Sequence, residues 1–148
     1  MTGPSDGREG GQTLILVIGY VAIALLAVSA TLAATAVNTE ARRLLSVADG
    51  AVVAAADRFS VAGGAEGASL DLVLTDAAVR SAAAAYVGDT GAPARFDGFA
   101  VLLAAADGDG STARVRLGAT VRPPIVGWFV PDGIPISVES SARTALTR

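Results

Sequence analysis

The chain has 148 residues, of which 52% are apolar, 17% charged and 5% aromatic, with 17 glycines, 6 prolines and no cysteine. That composition excludes disordered and collagen-like classes and leaves room for one modest domain. Its 11 basic and 14 acidic residues give a formal charge of −3, without the cationic surplus that neutralises phosphates, which argues against nucleic acid as a partner. Cysteine and histidine are both absent, which removes Cys/His zinc sites, cysteine nucleophiles and Ser-His-Asp triads, and leaves no disulfide framework to report a redox compartment.

Residues 1–11 form a short polar tail. The mean hydropathy of +0.55 is concentrated just beyond it, because residues 12–39 contain no charged side chain. A helix needs about 20 apolar residues to cross the hydrocarbon core of a bilayer, so this run predicts a transmembrane helix. Arg8 and Glu9 bound it on one side and Glu40, Arg42 and Arg43 on the other. The alternative is a signal peptide cut near Ala36, where Ala34, Thr35 and Ala36 supply a small-x-small pattern, releasing a secreted soluble binding module. Two features disfavour it. The tail balances Arg8 against Asp6 and Glu9 instead of carrying a positive n-region, and the apolar run exceeds the ~7–15 residues of a signal core. Counting arginines at the two ends places the C-terminal side in the cytoplasm by a bias of one residue. Within the run, Gly19, Ala27, Thr31 and Thr35 recur at multiples of four, the spacing that lets helices approach closely in lipid.

The helical pattern continues past Glu40. Leu44, Ala48, Ala51, Val52, Ala55 and Phe59 share one face, and Arg42, Ser46, Asp49, Asp57 and Ser60 share the other, interrupted by Val53. An amphipathic stalk is expected over residues 40–61, continuous with the apolar helix and stopped by Gly63, Gly64 and Gly67. Residues 62–148 then form a small α+β head. A second helix is predicted over residues 76–87, capped by Thr75, closed by Gly88, with Val79, Ala82, Ala83 and Tyr86 as its apolar stripe.

The period changes to two further on. Ala113, Val115, Leu117, Ala119 and Val121 alternate with Arg114, Arg116, Thr120 and Arg122, as in a half-buried strand. The apolar run 99–106 joins it through Asp107, Gly108, Asp109 and Gly110, which suit a tight hairpin. A third strand runs from Ile134 to about Leu146, with Ile136, Val138, Ala142 and Leu146 on one face. The expected fold is therefore α+β: a membrane helix running into a stalk, a short helix, and a three-stranded antiparallel meander packed on the stalk. Such a head is too small to be stable without the stalk in its core.

Candidate chemistry is sparse. Asp107, Asp109 and Ser111 match the start of a calcium loop, but Thr112 stands where that loop needs glycine and Gly118 where it needs glutamate, so the hairpin reading is preferred. The other carboxylates are scattered singly, and neither catalysis, a cofactor, a metal nor a small-molecule substrate is expected. The apolar segment 123–131 carries the only tryptophan. Trp128 and Phe129 there either anchor a partner or a membrane interface, or fold back over the sheet as a cover for the core.

Residues 8–13 (Arg-Glu-Gly-Gly-Gln-Thr), the long apolar helix, and residues 44–56 with Ala48, Asp49, Gly50 and Ala51 at their centre together resemble the N-terminal region of TadE/TadG-like proteins of the Tad (Flp) pilus system. That family has a short tail of charge and glycine, a membrane helix, and an Ala-Asp-Ala-Ala-Ala-Leu-Ala-type motif, matched here by residues 48–54 with Asp49 in the acidic place. The specific match covers about the first 60 residues; the strand-rich remainder agrees in character. Gly50 departs from the usual alanine. A prepilin-type cut would fall after Gly10 or Gly11, but family members processed this way carry glutamate at the fifth mature position, where this chain has Ile15 or Leu16. The resemblance implies a single-pass, pilin-like envelope protein, non-enzymatic, with its head outside the cytoplasmic membrane. Its partners would be lipid and other pilus or pilin-like subunits, both met through the N-terminal helix.

Overall fold

The computed structural model describes residues 6–57, 60–62, 71–108, 110–123, 127 and 130–143, with the side-chain surroundings of 6–10, 60–62 and 71–73 left undescribed. The elements follow in the order α1 (Asp6–Ala56), β1 (Ser60–Ala62), β2 (Asp71–Val73), α2 (Asp76–Asp89), α3 (Ala92–Arg95), β3 (Ala100–Ala106), β4 (Thr112–Val121) and β5 (Ile134–Arg143). The class is α+β, as the patterning predicts.

Helix α1 is a single helix of 51 residues, roughly 76 Å long at ~1.5 Å per residue. Nothing inside it breaks the ladder: proline is absent and alanine and leucine dominate. It ends earlier than expected. Asp57 still donates its N–H to Val53 O, but Ser60, Val61 and Ala62 pair antiparallel with Val73, Leu72 and Asp71. Serine and valine are weak helix formers, and pairing with a strand distant in sequence satisfies their backbone instead. The stalk therefore stops at Ala56 and not near Ser60. Phe59, assigned to its apolar stripe, lies outside the described residues.

The C-terminal half of α1 is the centre of the core. Leu44, Ala48, Ala51 and Ala55 are completely buried and Val52 nearly so, facing Val79, Ala83 and Val87 of α2 and Ala113, Val115, Leu117 and Ala119 of β4. Full burial of a leucine or valine side chain contributes about 1.5–3 kcal/mol, and the alanines contribute close approach of the backbones. At the α1–α2 contact a Cβ built on Gly50 would stand 2.0 Å from Tyr86 Oη. The ring occupies the space that any side chain there would need.

Helix α2 starts as its cap predicts: Thr75 Oγ1 accepts the Ala78 N–H at 3.3 Å. Its end differs. The helix passes through Gly88 to Asp89, and Thr90 donates its hydroxyl to Tyr86 O at 3.0 Å. The reversal comes at Gly91, with φ +64°, because the left-handed conformation that terminates a helix is held there and not at Gly88.

Strands β3, β4 and β5 form the expected antiparallel meander in that spatial order. Along β4 the odd-numbered residues from Ala113 to Val121 are buried and Arg114 and Arg116 are exposed. Arg114 Nε lies 2.8 Å from Asp107 Oδ1 and Arg116 Nε donates to Glu139 Oε2 at 2.9 Å. The hairpin between β3 and β4 closes through Asp107 N–H to Thr112 O at 2.8 Å, with Gly110 at φ +65°. Its tip is tied to the start of α2: Asp76 Oδ1 accepts the Ala106 N–H at 2.8 Å, and Leu74 donates to Gly110 O at 3.0 Å. That bond covers one end of the β3 edge. Strand β5 alternates half-buried Ile136, Val138 and Ala142 with exposed Ser137, Glu139 and Ser141. It is described to Arg143, so Leu146 lies outside the described residues.

Candidate functional site: the exposed apolar helix and its exit

The two halves of α1 live in different surroundings. From Leu44 onward one face is sealed in the head, whereas residues 14–32 present every large apolar side chain to the outside, from Val21 at 49% to Ile15 at 74% exposed. Singly exposed apolar residues are ordinary, but a continuous apolar cylinder is not. The stretch rises roughly 28 Å at ~1.5 Å per residue, close to the ~30 Å of a bilayer's hydrocarbon core. By length and apolar character α1 can cross a membrane.

Gly19, Ala27 and Thr31 lie on this section and Thr35 is exposed just beyond it, and a Cβ built on Gly19 would meet nothing within 4 Å. The threonines do not present free hydroxyls. Thr31 donates to Ala27 O at 2.9 Å and Thr35 to Thr31 O at 2.9 Å. Thr39, absent from the predicted stripe, extends the series by donating to Thr35 O at 2.8 Å. Its four-residue spacing from Thr35 was the signal available in the sequence. With each hydroxyl turned onto its own helix, the strip needs no outside hydrogen-bond partner and offers methyl groups to lipid or to another helix.

Gly10 and Gly11 both fall within the first turns of α1, and a Cβ built on Gly11 would meet nothing within 4 Å. Of the four consecutive residues 48–51, Ala48 and Ala51 are fully buried and Gly50 faces Tyr86, so these three serve packing, whereas Asp49 faces outward. Trp128 and Phe129 lie outside the described residues; nearby, Val130 is 36% exposed. Of the calcium-like residues, Asp107 is engaged by Arg114 and Asp109 lies outside the described residues.

The strand directions set which pole of the head faces the apolar helix. Strand β4 runs back toward the start of the stalk, so Val121 and Arg122, together with Arg95 and Asp97 beside α3, sit next to Ala36, Thr39, Glu40 and Arg43. Compared with known proteins, the chain matches no family model, no curated protein and no solved structure. The chain is thus a small α+β head carried on one long helix whose residues 14–32 expose every large apolar side chain.

Proposed function

We propose that this chain is a single-pass, pilin-like envelope protein that contributes to assembly or anchoring of a Tad-type pilus, acting as a structural component and not as an enzyme. In this reading residues 12–39 lie in the cytoplasmic membrane and the head faces the extracytoplasmic side, a sidedness that follows the family resemblance and overrides the one-arginine excess at the C-terminal end. One observation carries it: a single unbroken helix that is the core of the head at one end and a bare apolar rod at the other. Such a rod is stable in lipid, or among sister rods that replace the acyl chains at little hydrophobic cost. Further support is the resemblance of the tail, the apolar run and the Ala48–Asp49–Gly50–Ala51 motif to TadE/TadG-like proteins. The hydroxyl-satisfied strip from Ala27 to Thr39 is the face assigned to contact with other pilin-like subunits.

Intact-mass mapping of the membrane-associated protein tests this directly. A start at Met1 or Thr2 supports a retained anchor, and one at Gly11 or Gln12 supports pilin-type processing. A start near Val37 would instead mean a secreted module released by signal peptidase. Protease added to cells with a permeabilised outer layer should remove residues beyond Glu40; digestion confined to residues before Gly11 would invert the orientation. A full-length chain that stays monodisperse in buffer without detergent would refute the membrane reading.

A further inference from the structure

Where α1 leaves its bare apolar section, a groove of about 450 Å³ opens between the helix and the facing pole of the head. Its charged lining comes from three separate elements: Glu40 and Arg43 on α1, Arg95 at the end of α3 with Asp97 beyond it, and Arg122 directly after β4. Arg43 lies 3.1 Å from Glu40 and Arg122 lies 2.8 Å from Asp97. Both arginines are largely exposed, at 64% and 59%, so these pairs are weak and yield to a stronger acceptor. Arg95 has no carboxylate partner among the described residues. The groove therefore gathers three guanidinium groups against two carboxylates around open space.

Its height along α1 selects the ligand. With residues 12–39 crossing the whole bilayer, about 42 Å at ~1.5 Å per residue against the ~40–45 Å that includes both headgroup layers, the groove residues Ala36, Thr39 and Glu40 stand at headgroup level and Arg43 just above it. Arginine side chains on a helix lean toward its N-terminus, so the Arg43 guanidinium reaches back toward that layer, where its contact with Glu40, one turn earlier, already places it. Guanidinium forks match phosphate oxygens bidentately and are less strongly hydrated than ammonium groups.

We propose that this groove holds the phosphate of an anionic phospholipid headgroup, with Arg95, which pairs with no carboxylate among the described residues, as one donor and with Arg43 and Arg122 exchanging their carboxylates for it. The proposal rests on the reading of residues 12–39 as membrane-spanning. It gives the head a fixed seat on the bilayer surface, so that the stalk and sheet do not swing freely on the membrane helix.

The test uses the full-length protein in nanodiscs of phosphatidylcholine with a minor fraction of phosphatidylglycerol, followed by detergent release and native mass spectrometry of retained lipid. The wild type should retain phosphatidylglycerol above its input ratio. The triple variant R43Q/R95Q/R122Q takes the groove's charge from three cations against two anions to two anions alone and should lose that preference by more than about fivefold, the effect of a single cation at an anionic surface. R114Q/R116Q/R143Q removes equal charge from the outer face of the sheet and should leave it intact, and circular dichroism of both variants should match the wild type. Retention at the input ratio, or equal loss in the two variants, overturns the proposal. Suppression of the preference by millimolar inorganic phosphate would overturn the lipid assignment in favour of a free-phosphate site. A chain that fails to enter nanodiscs refutes the membrane reading, and this one with it; entry without lipid preference refutes the groove alone.

Discussion

Gly50 lies where α1 crosses α2, and a Cβ there would stand 2.0 Å from Tyr86 Oη, 2.3 Å from Cζ and 2.7 Å from Cε1. Gly50→Ala therefore sets two effects against each other. Helix propensity favours alanine by about 1 kcal/mol in a helix interior. Against this, the methyl collides with two ring carbons as well as the hydroxyl, so the Tyr86 ring must move as a body, and overpacking of that kind costs about 1–3 kcal/mol. The expected net effect is destabilisation by about 1 kcal/mol, or roughly 4–8 °C in Tm for a head of this size. Tyr86→Ala removes the obstacle, and in that background Gly50→Ala should stabilise by about 1 kcal/mol. The double-mutant cycle then gives a coupling of about 2 kcal/mol between the two positions. Thermal proteolysis of the full chain in detergent micelles reads the head's melting directly, because cleavage follows its unfolding. If Gly50→Ala raises Tm equally in the wild type and in Tyr86→Ala, the ring does not constrain position 50 and the account of this contact is wrong.

Further outcomes follow from the same contacts. Leu117 is completely buried between the sheet and α1, so Leu117→Ala should destabilise the head by about 2–5 kcal/mol, read by the same melts, while carbonate extraction of the membrane fraction stays unchanged. Leu25 is 63% exposed in the middle of the apolar section; Leu25→Arg should leave the head's stability within about 0.5 kcal/mol of wild type. It should nevertheless reduce membrane insertion by the equivalent of about 3 kcal/mol, and unchanged insertion would count against a bilayer for α1. Glu139 is a half-exposed partner of Arg116 across β4 and β5, so Glu139→Gln should cost less than about 1 kcal/mol and the difference should shrink in high salt.

What the linear sequence determined here is whatever local periodicity and composition record. The uncharged run 12–39, the face shared by Leu44, Ala48, Ala51, Val52 and Ala55, the Thr75 cap and the alternation along β4 were all legible, because each depends on neighbours within a few residues. Only the tertiary structure decided the rest. Helix α1 stops at Ala56 because Ser60, Val61 and Ala62 find a partner strand at Leu72, and α2 closes at Gly91 and not Gly88 because that is where the chain turns back. A register shift in β3 between Val101 and Leu103 places Leu102 over Gly118, an arrangement that no alternation pattern encodes. The need for glycine at position 50 comes from Tyr86 on another helix, and the arginine groove is assembled from α1, α3 and the end of β4. Periodicity states which face of a segment is apolar; it does not state which distant segment will cover that face, and those long-range pairings built both the packing of the motif and the groove at the exit of the helix.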